Sequence, residues 1–200
     1  IKSLDGSLGV RFTGIAYTTL FAEGKWGDEE IDLNWNVIED ADGALESRDT
    51  QIEIFRQDYT VGFNTAPLAW LTLSGKYRHS LKQNDYNGDR ILLISEDLST
   101  DEVTAKVTVR PTSRVSVSFK YQLVATDINS FANDPGTTAK TGDYDLMIYS
   151  VSATVTPINR LYVTGLFSLQ NTRTISVYNG ATPVIPYHGD VYTVSGSTGY

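Results

Sequence analysis

The stretch VSVSFKYQLVAT, residues 115–126, decides the fold. Val115, Val117, Phe119, Tyr121, Leu123 and Ala125 are apolar, whereas Ser116, Ser118, Lys120, Gln122 and Thr126 are polar; Val124 is the one exception. A period of two marks a strand with one apolar and one polar face. The apolar face meets either a protein core, which makes a soluble sandwich, or lipid, which makes a membrane barrel with a polar interior.

Working outward, the same pattern recurs around three proline-containing turns, TAPLAW at Pro67, RPTSRV at Pro111 and TPINRL at Pro157. Phe63 and Ala69, Val109 and Val115, and Val155 and Leu161 flank these turns, with midpoints at 66, 112 and 158, an even spacing of 46 residues. A further step back reaches Leu20, where no clear turn sits. Apolar residues stay on odd numbers through each turn, which predicts an odd loop, read here as five residues. Most alternating runs hold for about 9–11 residues, the length that crosses a bilayer at a tilt and longer than an ordinary strand.

Between the hairpins lie polar segments, 39–50, 82–101, 127–145 and 178–190, read as long loops from DADG, QNDYNGD, NDPGTTAKTGD and YNGA. They hold 15 acidic and 4 basic residues, a net charge of -11 in a chain of -8, which leaves +3 for the rest. Short turns alternating with long acidic loops favour an outer-membrane type of barrel over a Greek-key sandwich. The stretch 18–40 changes parity, with Leu20, Ala22 and Trp26 on even numbers and Ile31, Leu33, Trp35 and Val37 on odd ones. This predicts one long strand with a bulge near Gly27–Glu30.

The fold class expected is therefore all-β: an antiparallel up-and-down transmembrane barrel in a single domain over 1–200. The count of about nine strands is odd, and bacterial barrels use even numbers, so the chain reads as a stretch of a larger barrel or as hiding one more strand. A soluble or surface-attached β-sandwich that binds ligands through its acidic loops is the alternative. Arg56, Asp58, Lys76, Arg78, Glu102, Lys106, Arg110 and Lys120 fall on the polar faces and are the candidates for a barrel interior. A Lys or Arg facing lipid at the midplane would cost about 2–4 kcal/mol.

Other chemistry is sparse. No run of about 18 apolar residues supports a transmembrane helix. The chain has no Cys, which excludes disulfides and thiolate metal sites, and its pI of 4.7 argues against general nucleic-acid binding. His79 reads as an interfacial residue on the apolar parity and His188 as a loop residue; no pair of histidines has zinc spacing. GSLG and SGSTG lack the strand–turn–helix setting of a nucleophile elbow. DYNGDRILLISE, 85–96, places Asp85, Asn87, Asp89 and Glu96 at calcium-loop positions one, three, five and twelve, but Arg90 stands where that loop needs Gly. No enzyme, cofactor or metal is expected.

GVRFTGIAYTTLFAEGKW, TDEVTAKVTVRPTSRVSVSFKYQLVATD and YDLMIYSVSATVTPINRLYVTGLFSLQNTRT resemble segments of large, poorly characterised outer-membrane barrels of Gram-negative bacteria. More loosely, they resemble the porins that sheath multihaem cytochromes, although the Cys-x-x-Cys of those porins is absent here. The resemblance implies a bacterial outer-membrane, porin-like barrel that acts as a pore or a sheath. Its partners would be outer-membrane lipid and a periplasmic or multihaem cytochrome inside the barrel.

Overall fold

In the computed structural model, residues 1–39, 45–88, 93–132, 140–158, 160–178, 182, 183 and 186–199 are described. They form one antiparallel sheet with strands β1 (Lys2–Ile15), β2 (Thr18–Glu39), β3 (Leu45–Leu68), β4 (Leu71–Gly88), β5 (Leu93–Thr112), β6 (Val115–Ala132), β7 (Lys140–Ile158), β8 (Leu161–Tyr178), β9 (Thr182–Pro183) and β10 (Tyr187–Gly199). Each long strand pairs with the next, up and down, ending β8–β10; the two-residue β9 adds to β8. Among the described residues β1 and β10 do not pair, so the sheet is open.

Among the described residues no second layer covers the sheet and no hydrophobic residue is buried. A sandwich hides one face of each sheet in a shared core, so this arrangement overturns the sandwich alternative. The apolar residues instead form an exposed field on one face: Phe63, Val103, Val107, Phe119, Tyr149, Val151, Val163 and Phe167.

The register fixes the slope of the strands. One lateral row runs Thr18, Thr65, Leu73, Val107, Phe119, Val151, Phe167. Relative to the first residues of β2, β4, β6 and β8, it lies zero, two, four and six residues along. The stagger is thus one residue per strand. With a rise of about 3.3 Å and a strand spacing of about 4.8 Å, that gives a tilt of about 35°, the value of membrane barrels. Each residue then climbs about 2.7 Å along the membrane normal, so an apolar band of about 25 Å needs roughly nine residues. β2 to β8 have 18 to 24 residues, so about half of each strand projects past the band.

That projection corrects the loop reading. Asp85, Glu96, Asp97, Asp101, Asp127, Asp143 and Asp145 lie in strands, and His188 lies in β10 opposite Arg173. Beyond lipid a strand needs no apolar face, and its polar composition reads as loop.

The turns are also tighter than the five residues expected. β3–β4 and β5–β6 are joined by Ala69–Trp70 and Ser113–Arg114, and a fourth turn, Ala16–Tyr17, joins β1 and β2. The odd parity comes from a one-residue register shift before each turn, between Thr65 and Leu68, Val109 and Thr112, and Val155 and Ile158. Pro67, Pro111 and Pro157 occupy these shifts, where the missing N–H breaks no ladder bond. The first hairpin shifts between Phe12 and Ile15 without a proline. The bulge expected at Gly27–Glu30 is absent: β2 keeps its register with β3 from Thr18 to Trp35 and shifts only between Trp35 and Ile38.

Aromatic rings mark both limits of the apolar band. Tyr17 and Trp70 stand at the short turns. Trp26, Tyr59 and His79 stand eight or nine residues along β2, β3 and β4 from those turns. Trp26 Nε1 donates to Tyr59 Oη at 3.1 Å, with the rings edge to face at 6.0 Å, so each polar tip is satisfied at the edge of the apolar zone.

Candidate functional site

The face opposite the apolar field carries the chemistry. Register places Arg56, Asp58, Lys76, Arg78, Glu102, Lys106 and Lys120 on it together. Arg110 lies in the shift before the β5–β6 turn, at the edge of this wall, and its backbone N–H donates to the Trp70 carbonyl at 2.7 Å.

Diagonal cross-strand pairs knit the wall. Arg78 donates from Nε and Nη2 to Asp58 Oδ1 at 3.0 and 2.6 Å. Lys76 Nζ lies 3.0 Å from Glu102 Oε1, which also accepts from Thr104 Oγ1 at 3.1 Å and Gln122 Nε2 at 3.4 Å. Lys120 Nζ donates to Gln122 Oε1 at 2.8 Å. Arg56 pairs with Glu29 at 2.9 Å higher on the wall. Such half-exposed pairs stabilise by roughly 0.2–1 kcal/mol each, so the ladder sets side-chain positions more than it holds the sheet. Lys106 stands directly opposite Lys120, two like charges in register.

Hydroxyls and aliphatics complete the wall. Thr108 with Ser118, Ser150 with Ser168, and Thr154 with Thr164 are directly opposed and hydrogen-bonded at 2.9, 3.0 and 3.0 Å. Further from the turns, Leu98 faces Ile128 and Val124 faces Leu146, with Ile148 below, all half-buried. Val124, the exception to the alternation of 115–126, belongs to this aliphatic strip.

On the opposite face His79 Nδ1 lies 2.8 Å from Asp101 Oδ1, which also accepts from Tyr77 Oη at 2.5 Å. Beyond the apolar band, Glu30 accepts from Lys2 Nζ at 2.9 Å and Gln51 Nε2 at 2.7 Å. The Lys2 ammonium holds the Glu30 carboxyl below its ordinary value, and Glu30 in turn raises Lys2.

The calcium-loop reading fails on geometry. Asp85 pairs with Ser95, whereas Glu96 pairs with Asn84 and accepts its Nδ2 at 3.2 Å. Ligands one and twelve therefore point to opposite faces of a hairpin; Asp89 and Arg90 lie outside the described residues. Among the described residues no three His, Cys, Asp or Glu side chains converge on a metal position.

Sequence reasoning missed a groove on the apolar-field side, beyond the band, lined by Phe55, Gln57, Leu81, Gln83, Asp97 and Asn129. Half of these residues, Gln83, Asp97 and Asn129, fell in segments read as loop, which hid the groove.

No family model matches the chain, and no curated protein matches it. Solved structures do. The alcaligin outer-membrane receptor FauA of Bordetella pertussis superposes with a TM-score of 0.74 at 11% identity, covering 98% of this chain and 32% of the receptor. The ferric yersiniabactin uptake receptor FyuA of Yersinia pestis gives 0.54 at 11% identity, covering 98% and 34%. The chain has the fold of an outer-membrane barrel wall. It spans about a third of the length of those receptors, which are neither porins nor cytochrome sheaths. With an unshielded apolar field on that fold, its place is the bacterial outer membrane.

Proposed function

We propose that the chain forms part of the wall of an outer-membrane uptake barrel whose interior is filled by protein. The observation that carries this reading is the aliphatic strip Leu98, Val124, Ile128, Leu146 and Ile148 on the face that lines the barrel. A water-filled pore gains nothing from clustered aliphatics on its wall, and contiguous apolar surface marks a contact. The ion-pair ladder below it offers positioned charges of both signs to the same occupant. The likeness to two siderophore receptors supports uptake as the wider role.

A sheath around a periplasmic or multihaem cytochrome is the second reading, since the strip would suit any protein seated inside. Planar-bilayer recording of the full-length protein separates these readings from a porin. A filled barrel passes little steady current until mild denaturant frees its interior; a large stable conductance without denaturant refutes the proposal. Co-purification of a haem protein would move it to the sheath.

A further inference from the structure

We infer that the groove at Phe55 and Asp97 is a binding site for the saccharide headgroup of an outer-leaflet glycolipid. The inference rests on the apolar field meeting lipid and is independent of what fills the barrel. Phe55, Gln83, Asp97 and Asn129 form one register row across β3 to β6, with Gln57 and Leu81 in the row beneath. These six side chains share the lipid-side parity, whereas Lys82 and Leu98, which also line the groove, belong to the other face of the sheet. Leu81, Phe55 and Asp97 lie ten, thirteen and fifteen residues along their strands from the short turns. At about 2.7 Å per residue that is roughly 27 to 40 Å above the turns, just past a band of about 25 Å. The groove therefore opens into the headgroup layer, and its volume of about 330 Å³ suits one or two sugar rings.

Its chemistry selects the occupant. Phe55 is 43% exposed and Leu81 38%, which offers an apolar floor for the C–H face of a sugar ring. Gln57, Gln83 and Asn129 supply amides around it. Asp97 Oδ1 is buried and has no hydrogen-bond partner. A hydroxyl donated by a ligand to the Asp97 carboxylate would supply a partner that the protein itself does not. The carboxylates of Asp97, Asp85 and Asp101 outnumber the one cation in the lining, Lys82, which disfavours a phosphate, so recognition runs through hydroxyls.

The test is native mass spectrometry of full-length protein in detergent micelles. Rough-type lipopolysaccharide, its dephosphorylated form, its free core saccharide and phosphatidylethanolamine are titrated separately. Wild type should hold one copy of both glycolipid forms in preference to phosphatidylethanolamine. Asp97→Ala and Phe55→Ala should weaken retention about tenfold, while Asp97→Asn, which keeps an acceptor, stays within about threefold. Resistance to SDS before heating confirms that each variant is folded; if Asp97→Ala fails to fold, Phe55→Ala carries the test. Unchanged retention in folded variants, equal retention of phosphatidylethanolamine, or loss of binding on dephosphorylation overturns the inference. Equal affinity for the free saccharide overturns the lipid assignment.

Discussion

Lys106 and Val107 are neighbours at one height that face opposite ways, so exchanging their chemistry tests the orientation of the sheet. Val107 lies five residues before the end of β5, flanked by Leu73 and Phe119, and is 37% exposed. Five residues at about 2.7 Å place it roughly 14 Å above the turn, near the middle of a band of about 25 Å. Val107→Lys puts an ammonium there and should cost about 2–4 kcal/mol. Lys106→Val removes a charge from the other face, where Lys106 opposes Lys120 in register. Relief of that repulsion offsets the loss of polar contact with the interior, so the change should lie between zero and a gain of about 1 kcal/mol. Reversible folding of full-length protein into phospholipid vesicles across a denaturant gradient, read by tryptophan fluorescence, measures both. Equal costs for the two variants, or a larger cost for Lys106→Val, would refute the assignment of the faces.

Arg160 holds a φ of 80° at the β7–β8 turn, a left-handed conformation that burdens a side chain, so Arg160→Gly should raise stability in the same assay by about 1 kcal/mol. Glu102→Ala strips Lys76, Thr104 and Gln122 of a shared acceptor and should cost about 1–2 kcal/mol, with Glu102→Gln recovering part of it. The Glu30 carboxyl is lowered in the folded chain, so the tie it gives to β1 is present above the ordinary Glu value near 4.5 and is lost as pH falls through the lowered one. Protection from backbone amide exchange at the Lys2 end of β1, taken relative to the intrinsic rate at each pH, should therefore fall on acidification below that range, and Glu30→Gln should abolish the change.

Strand existence, pairing order and the shared face of the charged residues were legible because lipid enforces a strict period of two. Val103, Val107, Phe119 and Val151 cannot slip by one residue without exposing Lys106 or Lys120 to lipid. What was illegible lies where that constraint ends. From Lys82 to Gly88 β4 reads as loop because Lys82, Gln83, Asn84 and Asp85 have no lipid to answer to, yet they sit on one ladder with Arg56, Phe55, Ile54 and Glu53. The groove at Phe55 and Asp97 was hidden for the same reason. The turns were miscounted because a proline in a register shift and a proline in a longer loop preserve the same parity. Side-chain pairing on the polar wall needs diagonal geometry, which alternation alone does not carry.

The parity change in β2 is the sharpest consequence of a membrane. Leu20, Ala22 and Trp26 share a face with Val61 and Tyr59, whereas Ile31 shares the opposite face with Ile52. No register shift separates them, so the strand runs straight and its surroundings change. Next to lipid, apolar side chains point outward; past the lipid, the outside is water and apolar side chains turn inward. Asp28, Glu30 and Asp32 then continue the outward face on which Leu20 began. A strand of a soluble sandwich meets one core along its whole length and needs a bulge to exchange its faces. An uninterrupted ladder with inverted amphipathicity requires two different solvents along one strand, and the inversion lies ten to thirteen residues from the turn, just past where an apolar band of about 25 Å ends.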